Sequence, residues 1–483
     1  MSSAKNSRKT NAPRADRRAF MVASTVGFAG LQFGQPALAE TVAQTAKKSG
    51  RAKSTILFFL CGGSSHVDMW DLKSEAPLEY RGPFQPIATT APGLQISEHL
   101  PLLAKQGHHL SVLRSVSGRV ATNDHHAGYY YNLTGHGADP SFVTLGNNRT
   151  PMSDDWPYMG SVVASRLPAS KGLPSAISLP DMPSRKPYTR PGQFAGRLGI
   201  EHDPLYVYAT LEKPLKFEAP ALVLHGDIDL PRLTSRSELL RTVDAARREF
   251  DQAGGVQTWS QQQDRAISLL GSSQTTTAFQ VADEPAKLRE RYGQSINGMS
   301  LLVARRLVEA GVPFITVFWN EKNDFISNKC KSGGGWDTHG NNFNCLKENL
   351  LPDFDQGFSA LIEDLHERGL LDDTLLLVTS EMGRKPKIGD PRSGGVNGGL
   401  YTAGRDHWTH CQSIVMAGGG LRGGVAYGKS DRFGEYPADH PITPAHVTKT
   451  VYHAMGINNL DATDRDGRKY NLLDEGEALV ELF

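Results

Sequence analysis

The sequence predicts an α/β protein built on a mostly parallel central sheet covered by helices. Three observations lead there. Short apolar runs recur along the chain and close on glycine or polar residues. Amphipathic, helix-like segments precede two of them. Aspartate, glutamate and histidine gather at the ends of the runs, where sheets of this kind bind ligands.

The elements follow in chain order. Residues 1–39 hold twin arginines, Arg17 and Arg18, then Phe20, a mildly apolar stretch and the small-x-small site Ala37-Leu38-Ala39. Charge, apolar region and cleavage site in that order read as a twin-arginine export signal, with the export machinery as partner. The destination is the periplasm or the exterior, and this route carries proteins already folded. The apolar stretch is too short and too rich in glycine for a stable transmembrane anchor. Residues 40–53 read as a polar linker, and 54–483 as a single domain.

"STILFFLCGG" opens the domain. Six apolar residues, Ile56 to Cys61, closed by two glycines, predict a strand buried on both faces. "VPFITVFW" (312–319) and "DTLLLVTSE" (373–381) repeat the pattern after the helix-like "SLLVARRLVEAG" and "FSALIEDLHERGLL". "QSIVMAGGG" (412–420) is a fourth run. Residues around 136–300 are rich in Pro, Gly and Ser at first and helical from about Ser235 to Leu270. They read as an insertion forming a lid or wall over the site.

The run ends supply the candidate chemistry. "CGGSSHVDMWD" (61–71) offers Ser64, Ser65, His66, Asp68 and Asp71, but no G-x-S-x-G elbow supports a lipase-type triad. "TNDHHAGYYYNLTG" (122–135) sets His125 and His126 beside acids that tune them near neutrality. The other reading is a structural hydrogen-bonding cluster at a helix start, with Asn123 or Asp124 as N-cap. In "GGGWDTHGNNF" (333–343) Asp337 and His339 stand two apart, and a carboxylate with an imidazole suits zinc, manganese or iron. The flanking glycines let the chain curl around an ion. The other reading is a surface loop in which Asp337 caps a helix starting near Asn342. Glu381 sits at a strand end, and Arg384 could neutralise an anionic substrate or pair with Glu381. "GRDHWTHC" (404–411) adds Asp406, His407 and His410, with Arg405 able to salt-bridge an acid.

Composition narrows the classes. A chain of 483 residues with formal net charge +1 and 21% charged residues is ordinary for a soluble globular protein and gives no reason to expect nucleic acid. Cys61, Cys330, Cys345 and Cys411 have no C-x-x-C spacing, which disfavours a zinc knuckle. Cys330 and Cys345 flank the Asp337 stretch and form either a disulfide after export or two buried thiols.

The order "GGSSHVDMWD", "NDHHAGYYYNLTG", "PGQFAGRLG", "WDTHGN", "LLDDTLLLVTSEMGR", "GRDHW" and "AGGGLRGGVAYGKSD" resembles the bacterial proteins of the domain of unknown function family 1501, over essentially the whole mature chain. That family is similar in layout to the alkaline phosphatase superfamily, which includes sulfatases and phosphodiesterases. The resemblance implies an alkaline phosphatase-like three-layer sandwich with metal at the strand ends. Carried over, Asp68 looks like the early Asp, Asp337 and His339 like the Asp…His pair, Glu381 like the Asp of an Asp-His whose His is replaced by Met382, and His407 with Asp406 like the final His. His125 occupies the nucleophile position. No cysteine or serine there begins the C-x-P-x-R or S-x-P-x-R of a sulfatase, which disfavours a formylglycine enzyme.

The expectation is an exported, metal-dependent hydrolase-like protein acting on phosphate or sulfate esters. A divalent zinc, manganese, iron or calcium ion would be held by Asp68, Asp337, His339, Glu381, Asp406 and His407. His125 would act as nucleophile or general acid/base, and Arg384 would stabilise the oxyanion. The alternatives are a non-catalytic exported binding or structural protein of the same fold, and an atypical sulfatase on sulfated glycans.

Overall fold

Ser54–Phe59 forms strand β1, and every residue of it is buried. The structure, a computed structural model, describes residues 52–118, 122–167, 169, 173–185, 188–220, 277–331, 334–389, 399–463 and 467–483. The export signal, most of the linker and the helix expected near 235–270 lie outside the described residues. Gly50–Phe483 form one compact unit.

Seven further strands complete the main sheet: β2 (Leu110–Val116), β3 (Ala176–Leu179), β4 (Leu205–Tyr206), β5 (Phe314–Phe318), β6 (Thr374–Thr379), β7 (Gln412–Gly418) and β8 (Val425–Tyr427). Their spatial order is β8-β2-β7-β6-β1-β5-β3-β4. β1 runs parallel to β5 and β6 in register, Thr55 opposite Phe314 and Leu375. β7 alone is antiparallel to both of its neighbours, β6 and β2. The three long apolar runs are thus the centre of the sheet, as buried parallel strands must be. β2 escapes the apolar-run signal because Ser111, Arg114 and Ser115 interrupt it. The stretch expected as an insertion departs from that reading, since β3 and β4 from within it pair beside β5.

Alternate side chains of β1 point to opposite helical layers. The principal helices are α1 (His125–Thr134), α2 (Met159–Arg166), α3 (Ile296–Ala310), α4 (Leu351–Glu367) and α5 (Pro444–Ala454). Phe58 stacks on Phe354 of α4, ring centroids 5.8 Å apart. Phe59 meets Tyr129 of α1 at 4.7 Å, and Thr55, on the same face as Phe59, donates to Met455 just after α5. Phe314, level with Thr55 on that face, packs edge-on to Tyr158 at the start of α2. The result is a three-layer α/β sandwich. No helix of the described residues is long and apolar enough to cross a membrane.

Candidate metal centre

The direction of β7 explains where the site forms. The parallel strands deliver the residues that follow them to one edge of the sheet. β7 runs the other way, so the residues that precede it reach the same edge. Asp406 and His407 therefore meet Asp337, His339 and Glu381, which follow β5 and β6.

The loop carrying Asp337 is pinned by backbone. The Trp336 amide donates to the Cys61 carbonyl at 2.8 Å and the Gly340 amide to the Cys330 carbonyl at 2.8 Å. Gly62, at φ +115°, makes room for it: a Cβ there would lie 2.3 Å from the Asp337 nitrogen. Cys330 and Cys345 are joined in a disulfide that closes the loop's base, Cα to Cα 6.2 Å. Opposite, Gly383–Arg384 and His407–Trp408 form a two-strand ribbon with Arg384 paired to His407, which sets both side chains on one face. Asp124 caps α1 by accepting from the His126 amide at 2.9 Å, and His125 is the first residue of that helix. The capping reading of this stretch is the observed one, and it does not exclude a site role for His125.

These elements converge on the carboxylate of Asp337. His339 Nε2 lies 2.9 Å and His407 Nε2 3.2 Å from its Oδ1, and His125 Nε2 3.5 Å from its Oδ2. The Nε2 atoms of His339 and His407 are themselves 3.1 Å apart. His407 Nδ1 faces the Asn123 carbonyl at 2.9 Å, an acceptor only, so Nδ1 carries the hydrogen and a neutral ring presents its Nε2 lone pair. Two imidazole nitrogens that close to one another and to a carboxylate oxygen need a shared proton or a cation between them. His125 Nδ1 donates to Glu381 Oε1 at 2.9 Å, which in turn accepts from the Gly62 amide at 2.8 Å. A histidine whose far nitrogen is anchored on a carboxylate or carbonyl is the usual metal-ligand arrangement.

Two donor sets sharing His407 bring their ligand atoms within 4.8 Å of one another: His125, Asp337 and His407, and His339, Asp406 and His407. The residues present therefore fit one or two divalent ions. Their charge states agree. Burial alone would raise the Asp337 carboxyl, but the charges of Arg384 and His125 hold it well below the usual carboxylate range. Burial lowers His407 and favours its neutral form. Burial also opposes protonation of His125, yet the Asp337 charge and the bonds to Asp337 and Glu381 outweigh it and raise the imidazole to about 9. Without metal, a proton on His125 stands where an ion would.

The other expected site residues sit differently. Asp68 lies outside the cluster: Arg405 grips both its oxygens at 2.8 and 2.9 Å, and Ser65 and Asn342 donate to it as well. Glu381 stands behind His125, holding the ring. Arg384 is fully buried and gives its N–H groups to Asp337 and to the carbonyls of Gly62, Gly63 and Arg405. Asp337 does not cap the following short helix, whose cap position is Asn341. Sequence reasoning passed over the carbonyl role of Asn123 and a buried pair, Arg190 and Glu321, 2.8 Å apart. Glu321 directly follows Asn320 beyond β5, so its position was the available signal. For a backbone carbonyl there is none.

The family model described as a protein of unknown function, DUF1501, matches residues 52–483. No curated protein matches the chain. Among solved structures, a phosphonate monoester hydrolase from Silicibacter pomeroyi is 12% identical with a TM-score of 0.42, covering 88% of this chain and 76% of its own. A sulfatase from Pseudoalteromonas sp. is 12% identical with a TM-score of 0.37, covering 87% and 70%. A putative sulfatase from Bacteroides thetaiotaomicron is 11% identical with a TM-score of 0.37, covering 88% and 74%.

Proposed function

The chain belongs to the DUF1501 family, and from that premise we propose that it is an exported, metal-dependent hydrolase of phosphate or sulfate esters. One observation carries the reading: three imidazole nitrogens, from His125, His339 and His407, converge on the carboxylate of Asp337 at the strand ends. His125, Asp337 and His407 would hold a first divalent ion, and His339, Asp406 and His407 a second. A divalent ion bound there supplies a Lewis acid that polarises a phosphoryl or sulfuryl oxygen and activates water.

The chain's own residues prepare that chemistry. Glu381 fixes the His125 ring, the Asn123 carbonyl fixes His407, and Arg384 fixes Asp337, so the donor atoms are oriented in advance. His125 serves as a ligand in this reading, because its Nε2 is directed at Asp337. Asp337 and the three histidines are each only 6–7% exposed, which keeps bulk water from the reacting centre. The Cys330–Cys345 disulfide fits an oxidising destination and supports export to the periplasm or exterior.

A second reading, a non-catalytic binding protein of this fold, has one observation in its favour. Three hydroxyls on the loops that build the cluster are engaged elsewhere: Ser65 with Asp68, Thr338 with Asn342, Ser380 with the Leu60 carbonyl and Glu381. None of these three is presented as a nucleophile.

Elemental analysis of the exported protein, followed by assay of 4-nitrophenyl phosphate, bis(4-nitrophenyl) phosphate and 4-nitrophenyl sulfate, tests the proposal. Near-stoichiometric zinc, manganese, iron or calcium that disappears in Asp337→Asn and His407→Gln, with ester cleavage disappearing in parallel, is expected. Metal without turnover on any ester favours the binding protein. Sulfate release alone, dependent on His125, favours the atypical sulfatase. Absence of metal, with none taken up on titration, defeats the reading.

A further inference from the structure

Arg384 was the guanidinium expected to meet the substrate, and its donors are spent on the protein. Arg190 is different. It is 6% exposed, and its Nη2 donates to Glu321 Oε1 at 2.8 Å. Its Nε and Nη1 are buried with no hydrogen-bond partner. Buried guanidinium N–H groups left without an acceptor are costly, and folded proteins keep few of them. Those that persist commonly face ordered water or a ligand.

The surroundings fix this guanidinium against α1, the helix whose first residue is His125. Its Cζ lies 4.5 Å from the ring centroid of Tyr129, one helical turn along α1 from His125. The Arg190 backbone is locked in a turn, its amide donating to the Pro183 carbonyl at 3.3 Å and its carbonyl accepting from Gln193 Nε2 at 2.7 Å. Gly192 lets that turn lie flat on α1, since a Cβ there would be 2.8 Å from the Tyr130 Cα. The same turn of helix holds a second buried atom without a partner, His126 Nε2, whose ring donates through Nδ1 to the Arg149 carbonyl.

We propose that Arg190, held at one end by Glu321, binds the negatively charged oxygens of a tetrahedral oxyanion, the phosphate or sulfate group of the ester, on the α1 side of the metal centre. The proposal rests on the hydrolase reading above and adds the residue that would grip the anion. A guanidinium with fixed geometry and spare N–H groups forms charge-assisted bonds to such oxygens, and being pre-positioned it loses little entropy in doing so.

The test is calorimetric titration of inorganic phosphate and, separately, inorganic sulfate into the exported protein with its own metal. Arg190→Gln is compared with wild type, with metal content and thermal midpoint measured on the same samples. Because Arg190→Gln alone strands a buried Glu321, the double variant Arg190→Gln/Glu321→Gln, which removes both charges at nearly constant shape, is titrated as well. The expected result is a dissociation constant weakened about tenfold or more for phosphate, sulfate or both, at unchanged metal content. The responding anion identifies the ester. A folded double variant that binds both anions as tightly as wild type overturns the proposal, and so does a wild-type protein that binds neither. Anion binding through Arg190 in a protein that takes up no metal would defeat the metal reading and leave this one standing. Metal binding with anion affinity indifferent to Arg190 would do the reverse.

Discussion

Asp68 and Asp337 are both buried aspartates near the strand ends, and each touches a fully buried arginine. Asp68 is 0% exposed, and one arginine fork, a serine and an amide occupy its two oxygens. Asp337 is 7% exposed and shares one oxygen among His339, His407 and Arg384, with the other turned to His125. The first arrangement is saturated by permanent donors and braces the fold. The second gathers groups that can lose a proton and accept an ion. Burial and charge are alike at the two positions. What separates them is whether the partners are fixed cations or ligand-capable rings.

The largest effect should come from breaking the brace. Asp68→Ala leaves Arg405 buried and uncompensated, a loss of about 3–5 kcal/mol, readable as a collapse of the thermal midpoint or as insoluble protein. Asp337→Asn should instead keep the fold and lower metal affinity by a hundredfold or more, since even residues behind the ligands are worth about 10–100-fold. If the two variants behaved alike, the distinction drawn between the two aspartates would be wrong.

Next in size is the metal-free protein's response to pH. His125 is raised to about 9 from an ordinary 6.5, so the stability it contributes is complete below 6.5 and is lost as pH rises through 9. That contribution is on the order of 3 kcal/mol. Denaturant unfolding at pH 6 and pH 9 reads it, and His125→Gln should flatten the difference. Metal affinity should move the opposite way, rising over the same interval as protons leave the ligand.

Reduction of Cys330–Cys345 should cost about 3 kcal/mol for a loop of this length. Because the loop holds Asp337 and His339, metal affinity should fall as well. Chelator competition before and after reduction measures it. The smallest effect expected is from Glu381→Gln, about 10–100-fold in metal affinity with the thermal midpoint nearly kept.

The contrast also marks how far sequence carries. The central strands β1, β5 and β6 were legible because strands buried on both faces are unbroken apolar runs. β2 was not, because its buried serines and Arg114 find partners that only the folded chain supplies. β3 and β4 are short and lie among prolines and glycines, and so read as an insertion. At the site, the gathering of Asp337, His339, Asp406 and His407 at one sheet edge was legible from their positions beside the apolar runs, whereas His125 was singled out only through the family resemblance. That Asp68 is spent on Arg405, that Arg384 is spent on carbonyls and that Arg190 is not, depends on side-chain geometry across hundreds of residues, which no local pattern encodes.

The backward course of β7 has a consequence for the birth of the protein. Gly62 and His125 leave the ribosome early, while His407 emerges tens of seconds later at synthesis rates of about 5–20 residues per second. Throughout that interval the acids and imidazoles of the nascent chain have no finished cage to offer. An ion held by His125, Asp337 and His407 together can bind only after the last long strand has docked, so metal uptake reports a completed chain.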